Sequence, residues 1–99
     1  MNQKLRGAIS LAMKAGAITS GGEKSLEAIR KGKAFLVIVA TDASENTKKR
    51  FRDSSSFYEV IYKECFLMDE LGGLIGKADR AVCVVIDEGF ANMISSKLD

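Results

Sequence analysis

The densest run of chemistry-bearing residues in this 99-residue chain is Thr19-Ser20-Gly21-Gly22-Glu23-Lys24-Ser25. A glycine pair lets another backbone approach closely, and a helix starting beside it offers unpaired N–H groups to an anion. The spacing matches neither a P-loop nor G-x-G-x-x-G, so a nucleotide site gains little from it. Ser20-x-x-Glu23 also fits a capping box, in which Ser20 caps the helix and Glu23 bonds back. The two readings are compatible, because a cap fixes the shape of the loop. Arg30, Lys31 and Lys33 follow at the end of the same segment, where basic groups complement a helix dipole. A second cluster, Lys48, Lys49, Arg50 and Arg52, reads most simply as a solvated helix face. Asp42-x-x-Glu45 is another capping-box pattern, and Asp87 with Glu88 can start a last helix.

The absences narrow the chemistry further. There is no His, which excludes Ser–His and Cys–His catalysis and His-containing zinc sites. Cys65 and Cys83 are the two cysteines, with no CxxC, and both read as structural thiols and not a disulfide. No metal or cofactor is therefore expected. The net charge of +2 hides an asymmetry. Residues 1–52 hold 11 basic and four acidic residues, and residues 53–99 hold four basic and nine acidic ones. If the fold gathers the basic positions on one face, that face can meet phosphate. If the halves interleave, they neutralise each other. The 46 % hydrophobic and 28 % charged composition is that of a soluble globular domain. No apolar run approaches the ~20 residues of a membrane span. Met1-Asn2-Gln3-Lys4 does not begin a signal peptide, so the cytoplasm is the expected compartment.

Positioning these residues falls to alternating elements. Phe35–Ala40 and Ala81–Ile86 are continuous β-rich runs, suited to strands covered on both faces. Ala17–Ser20 and Glu59–Tyr62 are shorter strand candidates. Leu5, Ala8, Ile9 and Ala12 fall at helical spacing, so 3–15 reads as a helix ended by Gly16. Residues 21–31 carry Leu26 and Ile29 inward and stop at Gly32. Residues 44–56 form a mostly polar helix with Thr47 and Phe51 inward. Met68, Leu71, Leu74 and Ile75 mark a short helix ending near Gly76, and Phe90, Met93, Ile94 and Leu98 mark the last. The order αβαβαβαβα calls for a sheet with helices on both sides, a three-layer sandwich in one domain over 1–99.

Five stretches in this order resemble a known family. They are Ser20-Gly21, Lys31–Val37, Thr41–Lys49, Leu71-Gly72 with Ile75-Gly76-Lys77, and Asp87–Ala91. Together they are similar to the bacterial branch of the ribosomal protein L7Ae/L30e superfamily, especially its YlxQ-type members. The resemblance covers nearly the whole chain. It implies an α/β/α sandwich around a mixed four-stranded sheet. It also implies a non-enzymatic, monomeric RNA binder of the translation machinery that recognises kink-turns, in which tandem sheared G·A pairs follow a three-nucleotide bulge. By position, the implied contacts are Gly21, Gly22, Glu23, Lys24, Glu27 and Lys31, then Asp42, then Lys77, Ala78, Asp79 and Arg80.

Two positions depart from that pattern. The family's reading segment usually runs Gly-Thr-Asn-Glu or Gln, with Lys three residues beyond the acid or amide. Here Glu23 takes the amide position and Glu27 the basic one. A carboxylate still accepts from the N1–H and N2–H₂ of an exposed guanine edge, but Glu27 is wrong in sign beside phosphate. Weaker or altered RNA specificity is expected. Glu23, Glu27 and the acidic second half also motivate a rival reading, a protein-interaction module of the translation machinery with weak or relaxed RNA binding. An enzyme working through Asp87 and Glu88 is the remote third.

Overall fold

The computed structural model describes residues 3–98; residues 1, 2 and 99 of the expected domain lie outside them. Nine elements alternate, as the sequence pattern predicts. They are α1 (Gln3–Lys14), β1 (Ile18–Ser20), α2 (Gly22–Arg30), β2 (Leu36–Val39), α3 (Glu45–Phe57), β3 (Ile61–Glu64), α4 (Met68–Leu74), β4 (Val82–Val85) and α5 (Glu88–Leu98). The strands form one sheet in the order β1-β4-β2-β3. β4 runs antiparallel to both β1 and β2, and β3 runs parallel to β2, so the sheet is mixed. α2 and α3 pack together on one face. α1, α4 and α5 cluster on the other, giving the three-layer α/β/α arrangement.

The two central strands are buried along their whole length, which explains their unbroken apolar runs. Every residue from Leu36 to Val39 and from Val82 to Val85 is buried. α1 contributes Leu5, Ala8, Ile9 and Ala12 to the core, and α2 contributes Leu26, Ala28 and Ile29. Phe51 is the large inward side chain of α3; Thr47 is only half-buried, its Oγ1 accepting from the Ser44 hydroxyl at 2.9 Å. Cys83 lies fully buried in β4, and Cys65 is half-buried and free. Among the described residues no helix is long and apolar enough to cross a membrane.

Three local expectations need correction. β3 begins two residues later than its β-rich run suggests. Val60 N–H instead returns to Ser55 C=O at 2.8 Å, closing α3. Ser20 does not cap α2, because it is committed to β1, opposite Cys83. The N-cap is Gly21, with φ +93°, and no side chain caps the helix. Asp42 does not cap α3, which Ser44 caps by accepting from Thr47 N–H at 3.1 Å. The Asp42 carboxylate instead reaches across the fold to accept from Met68 N–H at 2.8 Å, capping α4. The start assigned to the last helix holds: Asp87 Oδ2 accepts from Phe90 N–H at 2.9 Å.

Candidate nucleic-acid interface

β1 and β4 are antiparallel neighbours, so the end of β1 lies beside the start of β4. That pairing brings the β1–α2 loop against the α4–β4 loop. A cleft of about 540 Å³ opens between them. Gly21, Gly22, Glu23 and Lys24 line one side, and Lys77 and Arg80 line the other. Met13 and Ile18 supply apolar wall, a contribution the sequence did not signal because both read as ordinary helix and strand positions.

Each side is held by backbone. Gly21 N–H donates to Val82 C=O at 3.2 Å, tying the loop to β4. Its φ of +93° is a region that L side chains rarely adopt, so glycine is needed there. α2 starts without a side-chain cap, and its first residues Gly22, Glu23 and Lys24 line the cleft, so uncapped first-turn N–H groups and the positive end of the helix dipole lie beside it. Opposite, Lys77 N–H donates to Gly72 C=O at 2.8 Å and Arg80 N–H to Met68 C=O at 3.1 Å. The loop thus lies flat on α4. A Cβ at Gly72 would overlap the carbonyl oxygen of Ala78, so only glycine allows that approach. The Arg80 guanidinium also donates to Asp79 C=O at 2.9 Å.

The charges divide into paired and unpaired groups. Glu23 faces Arg50 of α3 at 3.5 Å, a partner that sequence spacing does not reveal. Glu27 accepts from Lys31 Nζ at 2.7 Å, one helical turn on. That hydrogen bond, with the Lys31 charge behind it, holds the Glu27 carboxyl below its ordinary value. Lys24 and Lys77 form no ion pair among the described residues. The α3 cluster, by contrast, is answered throughout. Lys48 faces Glu45 and Glu64, Lys49 faces Asp53, Arg50 faces Glu23 and Arg52 faces Glu64. Lys49, Arg50 and Arg52 are exposed, as a solvated helix face implies, whereas Lys48 is half-buried; the pairing of all four is a feature the sequence did not signal.

The cleft therefore gathers six of the eleven residues singled out from sequence: Gly21, Gly22, Glu23, Lys24, Lys77 and Arg80. Glu27 and Lys31 lie further along α2, on an adjoining groove. Asp42, Ala78 and Asp79 do not line the cleft; they shape its surroundings through the α4 cap and the Gly72 contact. Among the described residues no group of His, Cys, Asp and Glu is arranged to hold a metal ion. What the cleft offers is cationic side chains, backbone donors and one carboxylate beside an apolar wall. That set suits a phosphate backbone with exposed base edges.

The fold is that of a class of small α/β proteins with known members. The chain belongs to the ribosomal protein L7Ae/L30e/S12e/Gadd45 family, whose pattern it matches over residues 3–95. It is 48 % identical over 89 residues to the RNA-binding protein YlxQ of Enterococcus faecium, covering 90 % of this chain and 85 % of that one. It is 41 % identical over 91 residues to the RNA-binding protein YlxQ of Bacillus subtilis, covering 92 % and 91 %. A solved structure from Bacillus halodurans C, described as a protein of unknown function, superposes with a TM-score of 0.92. It is 32 % identical and covers 96 % of both chains.

Proposed function

We propose that this chain is a single-domain, monomeric, cytoplasmic RNA-binding protein of the translation machinery. It recognises kink-turns through the cleft between the β1–α2 and α4–β4 loops, without catalysis or cofactor. The observation that carries the reading is the convergence of Gly21–Lys24 with Lys77 and Arg80, in a family whose YlxQ members are called RNA-binding proteins. A kink-turn brings two phosphate backbones close together. Lys24, Lys77 and Arg80 would relieve their repulsion, and the α2 N-terminus would add backbone donors. Glu23 would accept from a guanine edge exposed at a sheared G·A pair. Binding would then draw the RNA towards a bend it already samples.

Titration into a standard kink-turn RNA at two salt concentrations tests this, with a control RNA whose G·A pairs are replaced by Watson–Crick pairs. Selective, salt-sensitive binding to the kink-turn is expected, and Lys24→Ala and Lys77→Ala should each weaken it without unfolding the domain. Equal binding to both RNAs would leave an unspecific basic surface. Binding to neither would favour the protein-interaction reading, for which the ion pairs at Glu23 and Glu27 are the motive.

A further inference from the structure

A second groove, of about 340 Å³, opens on the far side of Lys24. Thr19 and Lys24 line both it and the cleft, so the two share a wall. Beyond that wall the second groove is lined by Glu27, Lys31 and Lys33, with Ala28 and Ile86 as its apolar lining. Lys33, which the family resemblance does not include among its contacts, is placed by the end of α2. Gly32 turns the chain with φ +72°, and Lys33 N–H returns to Ala28 C=O at 2.9 Å. The turn holds Lys33 against the helix that carries Lys24.

The lining has three ammonium groups against one carboxylate, and Glu27 is already bonded to Lys31. Lys33 is exposed and forms no ion pair among the described residues. No aromatic side chain lines the groove, so it offers no platform on which a base could stack. Lysine ammonium groups act as point charges and follow phosphate instead of reading base edges.

We propose that the second groove takes the phosphate backbone of an RNA arm leaving the cleft, and that Lys33 sets how far along the arm the protein reaches. This rests on the reading of the cleft as an RNA site. The added contacts are independent of arm sequence, because phosphates carry none.

The test uses one kink-turn core with each arm in turn either trimmed short or extended by about one helical turn, ~10 base pairs. Affinity is measured at two salt concentrations for the wild type and for Lys33→Ala and Lys33→Arg. The wild type should bind one of the long-armed RNAs several-fold more tightly than the short one, whatever the arm sequence. Its salt slope should steepen by about 0.9 for each phosphate gained. Lys33→Ala should lose that increment and keep its short-arm affinity, and Lys33→Arg should retain both. Equal wild-type affinity for long and short arms would overturn the proposal, as would an increment that survives Lys33→Ala or one that depends on arm sequence. Failure of the wild type to bind even the short-armed RNA would overturn the cleft reading, and this proposal with it.

Discussion

Glu27 occupies a place where a cation would serve phosphate better, and Lys31 answers it at 2.7 Å across one helical turn. Both side chains are exposed, so the pair contributes little to folding and much to the local field. Glu27→Gln removes the negative charge and releases the Lys31 ammonium together. RNA affinity should rise several-fold, and the salt slope should steepen by up to about 0.9 if Lys31 gains a phosphate. Stability should stay close to that of the wild type, as for most surface changes. Titration at two salt concentrations and a denaturant curve together read both outcomes; an unchanged slope would leave Lys31 outside the interface. The sequence made Glu27 legible as a sign inversion and placed Lys31 at the spacing that pairs with it. It did not reveal that Glu23 meets Arg50, because 27 residues separate them and only the packing of α2 on α3 brings them together.

Helix endings decide where the site loops begin, and four of the helices close in the same way. After α1, α2 and α4 the left-handed position is held by Gly16, Gly32 and Gly76, and after α3 it is held by Glu59 at φ +58°. In each case the next N–H returns across the last turn, as Val60 does to Ser55 C=O. A glutamate there bears a steric cost that glycine avoids. Glu59→Gly should therefore stabilise the protein by about 0.5–1 kcal/mol after the larger unfolded-state entropy of glycine is counted. A rise in the denaturant midpoint at unchanged slope checks it. Gly72 gives the opposite case. Gly72→Ala adds helix propensity but drives a Cβ into the Ala78 carbonyl. The net loss should be about 1–3 kcal/mol, the usual range for overpacking. RNA affinity should fall further than stability alone explains, because the displaced loop carries Lys77 and Arg80. The Gly endings and the buried runs of β2 and β4 were readable, since their signals are local and strong. β3 slipped by two residues because it is an edge strand with both end residues exposed, where alternation fades. The caps at Ser20 and Asp42 misled for a related reason. Strand pairing claimed the first, and a helix start 26 residues away claimed the second.

At the scale of the molecule, the charge asymmetry of the sequence survives only in part. On α3 and β3, Asp53 and Glu64 from the acidic half answer Lys48, Lys49 and Arg52, while Arg50 is answered by Glu23 from the basic half itself. Among the described residues Lys24, Arg30, Lys33, Lys77 and Arg80 form no ion pair, and they lie on α2, just after it, or on the α4–β4 loop, an outcome that no count of residues could give. The same layered packing fixes how stability responds to pH. Cys83 sits in the centre of the sheet, and burial pushes its thiol up from an ordinary 9.0 to about 12. Well below pH 9 the thiol is neutral in the folded and unfolded states alike, and it contributes no slope. Between pH 9 and about 12 the unfolded chain loses this proton while the folded chain keeps it, so stability falls as pH rises. For this one group the fall is roughly 1.4 kcal/mol per pH unit. Tyr62 is raised too, by burial and by its hydrogen bond to Glu64, and Cys65 is raised by burial, so both add loss of the same sign. Denaturant curves taken across pH 7 to 11 should be flat at first and then decline. Cys83→Ala lowers the plateau by removing packed volume, but its alkaline decline should be shallower than that of the wild type by about the single-thiol slope. Parallel curves for the two proteins would mean that Cys83 ionises as readily in the folded sheet as in water.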